Sequence, residues 1–423
     1  MKTLFLNLIQ HWLFPLMVLI KQKLIIVLLL IIDWYHARFN VDFKLQLLAD
    51  GGNVAANVRT GIVNSAFSLI NNLNVSMNGA SVYDCPEVNH ATNIKNLLEY
   101  SKGYAESQGS NEFFYIDNIR DNGMREFTQI ALDGNAQNIR PSRTADYNKG
   151  FTTRKALLVN NAVANAEIPL NRYGFFEKLH NELLPNTRIE LKIKFESDAN
   201  LIWRTGGNNC RIVITKFQLI VPRITFNAYG LKLYSDDYFM NKKWSYLREV
   251  IYINDSTTQA LGNFRISTGI NKPRHVFVFI IDDADDNNQE SNKFLYNTFS
   301  PDDQSLNECR LVVGNGRDYP EVPYSPVNEP SRIFRDVMKY VHANSEYSHD
   351  TLLTRSNFNS IFSFVYFDLT KQSTDIRDGA TKLTFHYKLS AATTNTYKIY
   401  ALVLHEQDVE LVKTSGKLIL RSM

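Results

Sequence analysis

The chain has 423 residues, enough for two domains of about 200 residues each. Its net charge of +3, from 46 basic and 43 acidic residues, lacks the basic surplus of proteins that grip nucleic acid, so no specific nucleic-acid binding is predicted. Aromatic residues make up 12% of the chain, which favours β-rich structure. Cys85, Cys210 and Cys309 are odd in number and far apart, which argues against a disulfide framework or a zinc site of paired Cys-x-x-Cys motifs and predicts small buried hydrophobic residues.

Hydrophobic residues dominate positions 4–32, in two blocks that Lys21 and Lys23 separate. The second block runs only from Leu24 to Ile32, whereas a transmembrane helix needs about 20 uninterrupted apolar residues. No small-residue cleavage site follows it. Three interpretations stay open: a membrane or secretory signal, a segment outside the mature fold such as a misplaced gene start, and a buried structural element. Residues 1–39 are therefore kept apart from the predicted fold.

From residue 40 to residue 221 short apolar runs alternate with polar turns, the pattern of a β-rich domain. Strands are predicted over residues 41–49, 66–70, 73–77, 80–83, 156–159, 166–170, 187–195 and 211–221. Asn78-Gly79 between two apolar runs is the strongest short-range signal of a β-hairpin. Helical spacing predicts helices over residues 90–104 and 172–184, and residues 106–137 are predicted to form a polar loop.

Pro222 interrupts this pattern, and a second β-rich domain is predicted over residues 222–423. Its strands are predicted over residues 243–254, 265–268, 273–281, 311–313, 361–369, 383–389, 397–404 and 407–413, and one helix over 336–347. Short polar turns separate the runs 361–369, 383–389 and 397–404, which predicts three adjacent antiparallel strands. The fold class is thus predicted to be all-β, with two sandwiches in tandem and short helices in their loops.

Carboxylates are concentrated in Asp282-Asp283-Ala284-Asp285-Asp286, but an EF-hand loop counted from Asp283 would need Gly and Glu where Asn288 and Phe294 stand. A solvated loop is predicted, with weak cation binding as the alternative. The pair Gly314-x-Gly316 lacks the third glycine and the following helix of a phosphate-binding loop, and it is predicted to form a turn with positive φ.

The nine histidines show no metal-binding spacing. His275 and His386 stand inside strand patterns and are predicted to be hydrogen-bonded core or surface residues. No catalytic, cofactor-binding or metal-ligating residue is predicted, so the chain is not predicted to be an enzyme, and a tandem-sandwich hydrolase is the least supported reading. The sequons at Asn74 and Asn254 matter only if the N-terminus directs secretion.

Several ordered motifs resemble those of double jelly-roll major capsid proteins, of the kind encoded by Polinton (Maverick) elements, the related adintoviruses and, more distantly, virophages. In the first half, Gly61–Ser101 carries the Asn78-Gly79 turn, then Tyr83, then the helix with Leu97-Leu98-Glu99-Tyr100. In the second half the matching stretches are Gly262–Ile280, Phe294–Phe299, Val313–Tyr324 and Tyr366–Gln372. The resemblance covers residues 41–420, and the ordered set carries it rather than any single motif.

The resemblance implies two eight-stranded jelly rolls side by side, residues 40–221 and 222–423, and a homotrimer that forms a pseudo-hexagonal building block of an icosahedral shell. It implies a minor (penton) capsid protein as a possible partner, no cofactor, and location in the virion or the host cytoplasm or nucleus. The chain departs from the family at its start, where hydrophobic residues replace a strand and a short polar segment. The alternative is a membrane-anchored or secreted tandem β-sandwich that binds glycans or a protein partner, with membrane contact through residues 4–32.

Overall fold

The computed structural model describes residues 10–16, 22–26, 31–55, 59–120, 130–131, 139–140, 148–180, 182–184, 188–205, 209–227, 229–230, 243–344, 350–414 and 417–422. The strands up to residue 224 are β1 (Gln10–Leu16), β2 (Gln22–Ile26), β3 (Ile31–Ile32), β4 (Arg38–Leu47), β5 (Arg59–Ile62), β6 (Ile70–Met77), β7 (Ala80–Pro86), β8 (Ile130–Ala131), β9 (Ile139–Arg140), β10 (Ala164–Pro169), β11 (Ile189–Phe195), β12 (Ile202–Thr205) and β13 (Cys210–Ile224). The later strands are β14 (Lys243–Ile253), β15 (Leu261–Asn271), β16 (Pro273–Asp282), β17 (Leu306–Val313), β18 (Arg317–Tyr324), β19 (Val365–Asp368), β20 (Ala380–Leu389), β21 (Tyr397–Thr414) and β22 (Lys417–Ser422).

Short helices occupy the connections between strands. They are α1 (Val88–Glu99), α2 (Lys102–Glu106), α3 (Gln108–Asn111), α4 (Lys149–Ala156), α5 (Gly174–Glu177), α6 (Asp198–Leu201), α7 (Pro330–Asn344), α8 (Arg355–Ser360) and α9 (Thr374–Arg377). Single 3-10 turns lie at Ala66–Leu69, Val159–Asn161, Leu170–Arg172, Asp283–Asp285 and Pro301–Asp303. Among the residues described, no helix combines the length and the apolar composition needed to cross a membrane.

Each half of the chain forms a sandwich of two antiparallel sheets. The first sandwich has the strand orders β1-β13-β4-β10 and β2-β11-β6-β7, and the second has β14-β21-β16-β19 and β15-β20-β17-β18. If the eight main strands of each half are numbered along the chain, both halves follow the same orders, 1-8-3-6 and 2-7-4-5. This is the strand order of a jelly roll, so the prediction of an all-β fold with two eight-stranded jelly rolls is confirmed.

Residues of the hydrophobic N-terminal segment pair with strands of the first jelly roll. Strand β1 runs antiparallel to β13, with Gln10 opposite Arg223, and β2 runs antiparallel to β11, with Ile26 opposite Ile189. Strands β1 and β2 thus take the first and second positions of their sandwich, as β14 and β15 do in the second.

The sequence pattern predicted that a strand ends before Pro222. In the structure, β13 continues through Pro222 to Ile224. On one side β13 pairs with β4 as far as Ile220 and with β3 from Arg223 onwards. Pro222 therefore lies opposite the gap between these two strands. There the carbonyl of Pro222 accepts a hydrogen bond of 3.1 Å from the backbone N–H of Asp33. A proline is tolerated inside this strand because no partner there requires the N–H that proline lacks.

The three apolar runs between residues 361 and 404 form strands, but the prediction that they are adjacent was wrong. Strand β19 pairs with β16, β20 pairs with β15 and β17 in the opposite sheet, and β21 pairs with β14 and β16. The jelly-roll connection carries the chain across the sandwich between consecutive runs, which a pattern of apolar residues does not reveal. The run predicted over 407–413 is not a separate strand but the continuation of β21.

Other predicted boundaries also shift. Residues 66–69 form a 3-10 turn. Residues 156–159 do not form a strand, because α4 ends at Ala156 and a 3-10 turn begins at Val159. Asn148 caps α4 by accepting a hydrogen bond of 3.0 Å from the N–H of Phe151. The helix predicted over 172–184 is only α5. The helix predicted over 336–347 begins at Pro330, a residue favoured in the first turn, and residues 345–347 lie outside the described chain. The polar loop predicted over residues 106–137 contains α3, and most of its residues after 120 lie outside the described chain.

The predicted hairpin at Asn78-Gly79 is confirmed, since these residues join β6 to β7 with φ of 51° and 87°. A β-carbon at Gly79 would meet no atom within 4 Å, so only the backbone conformation requires glycine. We expect Gly79→Ala to lower the free energy of unfolding by about 1 kcal/mol. The matched control is Gly103→Ala in α2, which is equally uncrowded and has helical backbone, and should leave stability unchanged or raise it. Urea denaturation of both variants tests this, and equal losses would contradict it.

Candidate functional site: the junction between the two jelly rolls

The two jelly rolls meet in a closed junction in which α1 is the central element. Every residue of α1 from Val88 to Leu98 is buried, although the helix carries His90, Asn93 and Lys95 as well as apolar residues. The sequence predicted only the apolar stripe of this helix. The sequence offers no signal that its remaining faces are covered, because polar residues opposite an apolar stripe are typical of a solvent-exposed face. The buried apolar residues of both jelly rolls form one continuous core across the junction.

Lys95 is held between carboxylates of both jelly rolls. Its Nζ lies 2.7 Å from Glu249 Oε1 on β14, 2.8 Å from Glu177 Oε2 on α5, and 3.2 Å from the carbonyl of Arg172. The side chains of Lys95 and Glu249 expose only 5% and 2% of their surface. Burial lowers the pKa of Lys95, but the two carboxylates raise it by more, so the ammonium stays charged. A charged group of the first jelly roll is thus neutralised by one from the second.

The same carboxylate fixes α5 against β14. Glu249 Oε2 accepts a hydrogen bond of 3.2 Å from the backbone N–H of Gly174, the first residue of α5. A β-carbon at Gly174 would lie 1.9 Å from the carbonyl oxygen of Leu247 in β14, so the two backbones are too close for any side chain there. The rings of Phe175 and Tyr246 make an edge contact at 5.4 Å beside this point.

A second buried contact forms around His90. Its ring lies 4.6–5.5 Å from those of Phe279, Phe294 and Tyr400, all from the second jelly roll. Asn93 donates to the hydroxyl of Tyr296 at 3.0 Å, and His90 Nδ1 lies 3.1 Å from that hydroxyl. His90 Nδ1 and this hydroxyl thus share a hydrogen bond, while Nε2 of His90 is buried without a partner among the described residues. Burial, and then Lys293, lower the pKa of His90 well below its usual range.

The loop between β16 and β17 carries a third contact. Lys293 Nζ lies 3.0 Å from Glu196 Oε2 of the first jelly roll, and Asn71 and Asn89 donate to the same oxygen at 3.0 and 2.9 Å. Burial raises the pKa of Glu196, but Lys293 and the hydrogen bonds from Ser197 and Asn200 lower it to about 2. Gln289 of this loop also bonds to both the N–H and the carbonyl of Cys210, at 3.0 and 2.7 Å.

The acidic part of this loop, predicted to be solvated, is half-buried against the first jelly roll. Lys398 lies 3.3 Å from Asp283 and 3.1 Å from Asp286, and Asn200 accepts from the N–H of Asn287 at 2.7 Å. Burial raises the pKa of Asp282 to about 6. In the part of the chain that the structure describes, no group of three or more His, Cys, Asp or Glu residues could hold a metal ion.

The other residues singled out in the sequence lie in turns, in the core or on strands. Gly314 and Gly316 have φ of 62° and 103° in the turn from β17 to β18, as predicted. His275 Nδ1 lies 2.9 Å from the hydroxyl of Tyr366 in the core, and His386 is half-buried on β20. The three cysteines are free and buried, as predicted. The two sequon asparagines lie within β6, at Asn74, and directly after β14, at Asn254.

A cleft of about 710 Å³ opens beside the junction, where Ser101 and Thr351 form a single backbone bridge. Its lining mixes Lys102 and Lys149 with apolar residues such as Leu352. Nothing in this mixed and open lining resembles the convergent polar groups of a catalytic pocket.

No protein-family model matches the sequence, and no curated protein matches it either. Solved structures do match. A chain from the cryo-EM structure of the Sputnik virophage aligns with a TM-score of 0.62 and 11% identity, over 100% of this chain and 90% of that one. The Faustovirus major capsid protein aligns with a TM-score of 0.57 and 8% identity, over 96% and 91%. The mavirus major capsid protein aligns with a TM-score of 0.53 and 10% identity, over 95% and 86%. Over almost its whole length, then, the chain has the double jelly-roll fold of major capsid proteins.

Proposed function

We propose that the chain is a structural subunit that associates with two further copies into a pseudo-hexagonal trimer of an icosahedral shell. The observation that carries this proposal is the junction, which holds two jelly rolls of identical strand order in one fixed arrangement. One chain thus supplies two similar blocks, and three chains supply six. The likeness to the fold of capsid proteins over nearly the full chain supports the same proposal.

The finer parts of the proposal depend on the sequence motifs. We infer from them that the gene belongs to a Polinton (Maverick) element or a related adintovirus, that a minor capsid protein fills the shell vertices, and that the assembled protein resides in a virion. We further propose that the first jelly roll spans β1 to β13, residues 10–224, and that the second begins with β14 at Lys243. This assignment includes strands from residues 1–39, which the sequence alone kept apart.

Light scattering coupled to size-exclusion chromatography of the full chain tests the proposal. We expect a species of three times the chain mass of 48.6 kDa, with a hexagonal outline in negative-stain electron microscopy. The contacts between copies should each bury well over about 1,000 Å², the size of stable specific interfaces. A protein that stays monomeric at high concentration would contradict the proposal. Stable membrane retention after a high-salt wash would instead support the membrane-anchored binding protein.

A further inference from the structure

Both jelly rolls carry an asparagine followed by a glycine in the turn between their fourth and fifth strands. In the first jelly roll Asn78-Gly79 joins β6 to β7, and in the second Asn315-Gly316 belongs to the turn that joins β17 to β18. Glycine has no side chain to keep its backbone nitrogen away from the side-chain carbonyl carbon of the preceding asparagine. Attack of that nitrogen on that carbon closes a cyclic imide, a succinimide. Equivalent places in the two jelly rolls thus hold the same reactive pair.

The surroundings of the two glycines do not distinguish the two turns. Gly79 and Gly316 have φ of 87° and 103°, and a β-carbon at either position would meet no atom within 4 Å. No neighbouring group therefore crowds either glycine. A difference in reactivity must come from the asparagine side chains.

The side chain of Asn78 is held by the residue before β11. Asn78 Oδ1 accepts a hydrogen bond of 2.9 Å from the backbone N–H of Arg188, and the backbone N–H of Asn78 donates to the carbonyl of Arg188 at 2.8 Å. The side chain is also half-buried. To bring its Cγ to the nitrogen of Gly79, the side chain must rotate and give up the first of these bonds, which slows the attack.

The side chain of Asn315 is not held in this way. It is exposed, and it makes no hydrogen bond to any residue that the structure describes. Strand β20 fixes the turn one residue earlier, where the N–H of Gly314 donates to the carbonyl of Lys382 at 2.9 Å. This contact leaves the amide of Asn315 free to change rotamer and to present its Cγ to the nitrogen of Gly316.

We propose that Asn315 is a site of spontaneous deamidation in the folded protein, and that Arg188 protects Asn78 from the same reaction. Hydroxide takes the proton from the nitrogen of Gly316, and this nitrogen forms a bond to Cγ of Asn315. The bond from Cγ to Nδ2 breaks, and the amide leaves as ammonia with a proton from water. One water molecule then opens the succinimide at either of its two carbonyl carbons and yields aspartate or isoaspartate.

Each product changes the turn in its own way. Aspartate adds one negative charge to an exposed position and keeps the backbone intact. Isoaspartate also adds one carbon to the main chain between Val313 and Arg317, which are directly paired at this end of the hairpin. Aged protein is therefore a mixture of forms that differ at this one turn. This inference does not depend on the proposed function.

Incubation of the full chain in mildly alkaline buffer, followed by peptide mapping with mass spectrometry, tests the inference. We expect Asn315 to deamidate at least about fivefold faster than Asn78, because an ordinary protein hydrogen bond changes an equilibrium by about that factor. Isoaspartyl methyltransferase should label the peptide that contains residue 315. Asn315→Gln should remove this label, since the longer side chain closes a larger ring more slowly. Asn122-Gly123, which lies outside the described residues, gives a separate peptide and does not enter the comparison.

The same chain unfolded in guanidinium chloride is the matched control. Both pairs have the same two residues, so Asn78 and Asn315 should deamidate at similar rates once the contact with Arg188 is lost. Equal rates in the folded protein, or faster reaction at Asn78, would overturn the inference. A difference of the same size in the unfolded chain would also overturn it, because the protection would then come from the local sequence and not from the fold.

Discussion

Replacement of Lys95 by methionine will lower the free energy of unfolding by about 3–5 kcal/mol at neutral pH. The substitution keeps most of the side-chain volume but leaves Glu249, with 2% of its side chain exposed, as a buried carboxylate without its cation. The hydrogen bond from the N–H of Gly174 remains and does not neutralise that charge. Urea denaturation followed by tryptophan fluorescence measures the loss.

The matched control for this substitution is Lys339→Met on α7. Lys339 also lies 2.7 Å from a carboxylate, Asp336, but its side chain is 63% exposed, so its removal should cost no more than about 1 kcal/mol. The double variant Lys95→Met with Glu249→Gln should recover part of the loss, because the buried charge is then removed with its partner. A cost for Lys95→Met close to that of the control would show that the buried ion pair does not hold the jelly rolls together.

Acidification from pH 6.5 to pH 4.5 will destabilise the protein through buried histidines. Burial lowers the pKa of His275 and of His405 to about 4, and it also lowers the pKa of His90 well below its usual range. The unfolded chain binds protons near pH 6.5, before the folded chain does, so stability is complete above pH 6.5 and decreases as the pH falls towards the folded pKa. Each fully buried histidine then costs about 1.4 kcal/mol per pH unit.

Other groups act differently in this range. The pKa of Asp282 is raised to about 6, so its protonation favours the folded state as the pH falls and offsets part of the loss. Glu196, with a pKa of about 2, contributes stability above its unfolded pKa of about 4.5 that is lost only at lower pH.

Unfolding titrations at several pH values test the balance between these groups and the histidines. His90→Gln with His275→Gln should flatten the dependence, whereas the exposed His36→Gln should not. An unchanged slope in the double variant would contradict the prediction.

Much of the architecture follows from local patterns in the sequence. The alternation in Ile189–Phe195 and the Asn78-Gly79 turn predict a strand and a hairpin that the structure contains, because the side chains that face the core and the turn conformation are set by neighbouring residues. The same patterns do not state which strands are neighbours. The runs that form β19, β20 and β21 are consecutive in the chain but lie in two sheets, since pairing is decided by contacts between distant segments.

The junction could be predicted least. Lys95 and Glu249 are 154 positions apart, and neither belongs to a motif that announces a buried ion pair. The near-continuous apolar sequence of β16 is an indirect sign of the junction. A strand that is buried on both faces needs a further layer of structure on the side away from its partner sheet. That layer includes α1 and α7, whose residues His90 and Tyr340 contact Phe279 and Phe277. The hydrophobic N-terminus left three interpretations open because its composition resembles the start of a membrane segment as much as it resembles strands.

The pairing of β1 with β13 sets the order in which the chain can fold. Gln10 finds its partner only when Arg223 has been synthesised, so the first jelly roll closes late and through contacts that are very distant in sequence, which predicts slow folding. Until β14 and β16 follow, Lys95 lacks Glu249 and keeps only its contacts with Glu177 and Arg172, and His90 lacks the aromatic rings that cover it. A partly synthesised chain would therefore expose a polar helix and an open sheet edge, both liable to misassociation.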